Sequence, residues 1–157
     1  MIRSIQIIDN AKPIINSAVR GYCTLPYPGH PKGCPMFGKR PECPPQAPRF
    51  FDYFDTCDPF TAIVFMFDLG HHAARMKYRH PEWSDRQCRN PLYWQGGIRK
   101  ALKFQCKRIA KRGQDFTLIP EAMGMDVIAT MRQHDIIIEF PVRDIVKKVA
   151  FIGTVKK

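Results

Sequence analysis

The strongest strand signal in the chain is Thr61-Ala-Ile-Val-Phe-Met-Phe67, a β-branched and aromatic run that stops at Asp68-Leu-Gly70. It is apolar at nearly every position instead of every second one, so it predicts a central strand covered on both faces. Upstream, Ile5 to Ile8 alternates weakly, and Lys12 to Arg20 reads as a helix or turn. From His71 the pattern becomes polar and helical until Pro81, and Trp83 to Arg89 extends it by another turn or two. Ile98 to Arg112 is the clearest amphipathic segment. Ile98, Leu102, Cys106 and Ile109 fall on one side at helical spacing, basic residues cover the rest, and Gly113 is a plausible stop. Phe116 to Ile119 reads as a short strand. Pro120-Glu121 opens a second helix over about 122 to 133, since proline favours a first helical position. Ile136 to Phe140 and Val149 to Val155 complete the expected strands, with a turn or short helix over 142–147. The order predicts an α/β protein: one compact sandwich over residues 1–157, with a small mixed sheet and packed helices.

Residues 21–49 break every such pattern. Cys23, Cys34 and Cys43 are separated by prolines and glycines that exclude a long helix or a central strand. A loop of this length inside a compact chain is ordinarily functional. Bound metal would supply the order that local sequence lacks. The aromatic stretch Phe50 to Phe60 is expected to pack this loop onto the body.

Composition narrows the chemistry. With 157 residues and 45% apolar content the chain can bury a core. It has no apolar run long enough to span a membrane. The N-terminus lacks a signal-peptide pattern, so a cytoplasmic setting is expected, and thiolate ligation suits the six cysteines better than three disulfides. The net charge of +11 points to an anionic partner.

Thiolates select zinc, Cu(I) or iron–sulfur clusters. The spacings C-x10-C and C-x8-C match neither the short zinc knuckles nor a ferredoxin run. Gly29, Gly33 and Gly38 permit close backbone approach to a bulky inorganic group, and Cys34 and Cys43 are each followed by proline. Three cysteines would hold a [4Fe–4S] cluster with one iron open to substrate. Alternatively, His30, Cys57 or Cys88 would close the site as fourth ligand.

The block Cys23-x-Leu-Pro-Tyr-Pro-Gly-His-Pro-Lys-Gly-Cys34-Pro-x-Phe-Gly-Lys-x-x-x-Cys43-Pro-Pro resembles a group of uncharacterised prokaryotic proteins, small, cysteine-containing and regarded as metal-binding. His80 to Gly97 is similar to a second signature of that group, and Pro120 to Val127 to a third. The resemblance spans roughly residues 20 to 155. It implies a metal-binding loop in a single domain, carries no activity over, and leaves zinc and iron–sulfur both open.

Other residues are candidates on their own chemistry. His71, His72 and Asp68 follow the central strand, where α/β folds often place a ligand crevice; capping of the following helix is the plainer role for Asp68. Arg86, Arg89, Tyr93, Trp94 and Arg99 mix cations and aromatics as a substrate- or nucleotide-binding segment does. Glu121 is read as a helix-dipole residue, Glu139 as an outward residue on a strand, and Cys106 as a buried thiol. No dinucleotide loop, phosphate loop, HExxH or CxxC motif occurs. The leading expectation is an iron–sulfur protein, whether enzyme or not, whose open iron serves non-redox or sulfur chemistry on a small or nucleotide-linked anion. A zinc-stabilised RNA- or nucleic-acid-binding protein and an electron-transfer accessory factor with a protein redox partner are the alternatives. No membrane partner is expected.

Overall fold

The computed structural model describes residues 2–27 and 29–157. Four strands, β1 (Ile2–Ala11), β2 (Phe60–Asp68), β3 (Gln114–Thr117) and β4 (Ile145–Thr154), form one open sheet in the order β1-β2-β4-β3. Every pairing is antiparallel. The expected mixed sheet is thereby corrected. β2 and β3 do run in the same direction, but β4 lies between them, so they never pair.

β2 is the covered central strand that its composition predicts. Ala62 and Val64 point to one face, where Phe50, Phe54, Phe60, Met125, Met131 and Phe151 close over them. Ile63, Phe65 and Phe67 point to the other, against Ile98, Leu102, Cys106, Ala150 and Ile152. The period of two thus feeds two cores, which is why neither face could spare polar positions.

The first core is roofed by α1 (Phe50–Tyr53), by the turn Pro120–Met123 and by α5 (Val127–Arg132). The second is covered by α4 (Gln95–Ile109). Helix α2 (Leu69–Arg79) leaves the end of β2 with Asp68 as its cap, accepting from the His71 N–H at 2.9 Å. A third, smaller cluster joins α2 to α3 (Asp85–Cys88) through Ala73, Met76, Cys88 and Trp83. Among the described residues no helix is long and apolar enough to cross a membrane.

Besides the span 142–147, whose last three residues belong to β4 and form no turn or helix, three expectations need correction. Residues 122–133 are not one helix, because Gly124 turns left-handed at φ 94° and separates a short 3-10 turn from α5. Ile136 to Phe140 forms no strand: β1 and β3 hold the two edges of the sheet, and Ile136 and Ile138 pack into the first core from an irregular segment. α4 begins at Gln95 and ends at Ile109, ahead of Gly113, whose φ of 83° turns the chain into β3. The weak alternation at Ile5 to Ile8 proves to be the middle of a ten-residue strand.

Candidate functional site: the cysteine loop beside an open cavity

The cysteine loop is ordered by backbone clasps. A 3-10 segment, Ser17–Thr24, capped by Asn16, carries Cys23. The N–H of Cys34 donates to the Cys23 carbonyl at 2.7 Å. Gly33 makes that approach feasible: it sits at φ 84°, and a Cβ there would lie 2.5 Å from the Cys23 oxygen. The Ala47 N–H donates to the Cys43 carbonyl at 2.9 Å. Arg20 then staples the end of the loop, donating to the carbonyls of Pro45 (3.0 Å) and Ala47 (2.6 Å).

This arrangement brings the three predicted cysteines into one neighbourhood. Cys23 is half-buried, and its thiol is pushed up first by burial, then by the nearby charges of Cys34, Cys43 and Glu121. Among the described residues, no three His, Cys, Asp or Glu side chains already stand at metal-holding spacing. The thiols are within electrostatic reach of one another and not yet gathered around one point.

The fourth-ligand candidates fall differently. His30 stays within the loop, its ring 4.6 Å from that of Tyr27. Cys57 is exposed, with Asp55 raising its thiol. Cys88 is shut into the apolar cluster of α2 and α3. All six cysteines are free, and Cys106, at the centre of the second core, has its thiol pushed up to about 12 by burial.

Glu121 is the member that sequence reasoning missed as a site residue. Its placement follows from β3. That strand pairs only with Phe151 to Thr154 of β4, and Pro120, which has no N–H to donate, cannot extend the ladder. The chain lifts away at Pro120, and backbone bonds tie the next segment to the base of the cysteine arm: Asn16 N–H to the Gly124 carbonyl (2.8 Å) and Asp126 N–H to the Ile14 carbonyl (2.9 Å). The uncovered edge of β4 becomes the floor of a cavity of about 550 Å³.

Tyr22, Trp94, Glu121, Arg89, Lys147 and Lys148 contribute to the cavity wall, with mostly aliphatic residues between them. Glu121 is exposed at the cavity wall with protein crowded around it, and the loss of surrounding water pushes its carboxyl up against the opposing pull of its own N–H and of Lys148. Only its occurrence in the block Pro120 to Val127 hinted at such a role.

The predicted binding segment divides among several places. Arg89 and Trp94 line the large cavity, and Arg99 lines a smaller one that shares Lys148 with it. Arg89 is also a structural tie, paired with Asp85 at 3.0 Å and donating to the Arg143 carbonyl. Trp94 stacks on Phe67 at 5.4 Å and donates from Nε1 to the Arg89 carbonyl. Arg86 reaches the cysteine loop, its guanidinium 3.8 Å from where a Gly29 side chain would start. Tyr93 joins Trp94, His72 and Arg75 around a separate hollow.

Of the catalytic candidates, His71 is exposed and Asp68 caps α2. His72 is buried with no hydrogen-bond partner on Nε2, and burial, followed by neighbouring positive charge including Arg75, lowers its basicity. None of the three lines the large cavity. No family model, curated protein or solved structure matches the chain.

Proposed function

We propose that Cys23, Cys34 and Cys43 hold an iron–sulfur cluster of the [4Fe–4S] type, and that the chain uses it for non-redox or sulfur chemistry on a small anionic or nucleotide-linked substrate. The observation that supports this best is the coupling of Cys23 to Cys34, Cys43 and Glu121, with Glu121 on the wall of the large cavity. Adjacent thiolates repel one another, and a cation among them removes that repulsion. The donor set is soft and suits iron–sulfur or zinc over magnesium or calcium. Because the thiols are near but ungathered, loading would draw the loop inward.

A cluster held by three thiolates leaves one iron able to act as a Lewis acid. The chain's own groups would do the rest. Lys148 supplies a positive charge at the cavity for a substrate anion. Glu121 keeps its proton above the ordinary carboxylate range and can donate to a group bound there. Trp94 and Tyr22 offer flat walls for an unsaturated ring, and the aliphatic lining limits water. The same reading carries with it a reducing, cytoplasmic setting.

Anaerobic purification followed by iron, acid-labile sulfide and zinc analysis, with a visible spectrum, tests the proposal. About four irons and four sulfides per chain are expected, lost on replacing any of Cys23, Cys34 or Cys43. One zinc without sulfide would overturn it and make the loop a structural knot. A cluster with full occupancy of a fourth protein ligand would favour electron transfer.

A further inference from the structure

Helix α4 carries a feature that neither the thiol cluster nor the cavity uses. Between residues 95 and 112 there are seven lysines and arginines and no acidic residue. All seven are exposed, and among the described residues none is engaged in an ion pair. Lys100, Lys103, Lys107 and Arg108 follow the i, i+3, i+4 spacing that makes one continuous face of α4. From Lys100 to Arg108 that face runs about 12 Å along the helix axis. In its middle stands Phe104, 62% exposed.

The unpaired charge calls for a polyanion, and the exposed ring selects among polyanions. A large aromatic left in water amid lysines gains nothing from a fully paired duplex, whose bases are already stacked. It can stack an unpaired base while the flanking cations neutralise the phosphates. An anionic membrane surface fits less well. A helix that binds lipid needs a free apolar face, whereas Ile98, Leu102 and Cys106 of α4 are already buried against the sheet.

We infer that the outer face of α4 is a docking surface for single-stranded nucleic acid, with Phe104 as a base platform and Lys100, Lys103, Lys107 and Arg108 as phosphate contacts. The cysteine arm is tied to the segment after Pro120, which roofs the first core, and α4 covers the other side of the sheet. This inference is therefore independent of what the thiols bind.

The test uses the full chain and fluorescently labelled oligo-uridylate and oligo-thymidylate of about 20 nucleotides, with a hairpin duplex and vesicles of mixed neutral and anionic phospholipid beside them. Single strands are expected to bind, with a logarithmic salt slope of about −3 if four phosphates are neutralised. Lys103→Glu with Lys107→Glu should weaken binding more than tenfold and flatten the slope by about 1.4. Phe104→Ala should weaken it about tenfold with the slope unchanged. Circular dichroism and urea midpoints identify variants that fold like the parent. Equal affinity of a folded charge-reversal variant, equal or tighter binding of the duplex with no effect of Phe104→Ala, or uptake by vesicles without oligonucleotide binding would each overturn the inference.

Discussion

His72 shows what one misplaced polar atom costs. Its ring is buried, its Nε2 has no partner, and its basicity is lowered from the usual 6.5. Above that pH both folded and unfolded chains hold a neutral ring, and the group adds no pH dependence. Below it the unfolded chain takes up a proton that the buried ring refuses, so stability falls as the solution becomes more acidic. His72→Leu should remove this acid sensitivity. Urea midpoints measured on both chains on either side of pH 6.5 check it, and parallel curves would count against it. Gly33 is a second residue on which much rests. Alanine there would be strained at φ 84° and would press its Cβ against the Cys23 and Thr24 backbone. On the proposed metal reading, Gly33→Ala is expected to lower the metal content of the chain while lowering the unfolding free energy of the metal-free chain by less than about 1 kcal/mol, because the loop lies outside the two main cores. Metal analysis beside a denaturation curve separates the two effects.

Among the elements, β4 has the least freedom. It pairs with β2 along its length and with β3 at its end, and it feeds both cores. Gly153 lies against an aromatic group, where a Cβ would come within 2.5 Å of Phe60 and 3.0 Å of Phe54. Gly153→Ala should therefore destabilise the fold by about 1–3 kcal/mol through overpacking, read as a lower urea midpoint at constant slope. The opposite end of β4 is loose by comparison: β3 stops at Thr117, and the edge left over is the cavity floor. A short strand therefore creates the cavity and sets Glu121 beside it, although nothing in Phe116 to Ile119 marks it as an early stop except the proline that follows.

Across the molecule, the long cysteine arm and the sheet are expected to differ in resistance. Tyr22 and Phe37 are exposed chymotryptic sites within residues 21–49, whereas Phe50, Phe54 and Phe151 are buried. Limited chymotrypsin digestion of the metal-free chain should cut the irregular arm before the exposed sites that helices hold, such as Tyr78 and Phe104. Loading the thiols should slow those early cuts, since a ligand that binds only the ordered arm stabilises it by mass action. Identical cutting with and without metal would speak against ordering of the arm by its thiols.

Local pattern was enough for the elements whose own spacing shows which of their faces are buried. Apolar continuity at Thr61 to Phe67 marks β2 as central, and helical spacing at Ile98 to Ile109 marks the buried side of α4. Proline and glycine mark residues 21–49 as neither helix nor strand. Those signals survive because each reports how many faces of a segment must leave water. What required the folded chain was anything set by distant partners. Ile136 to Phe140 looks like a strand, yet β1 and β3 hold the sheet edges and the segment packs as irregular chain. Glu121 looks like a dipole residue, yet the bonds from Asn16 and to Ile14 carry its segment to Cys23. What stands beside Cys23 is decided by packing between segments about a hundred residues apart, and the local sequence of neither one records the other.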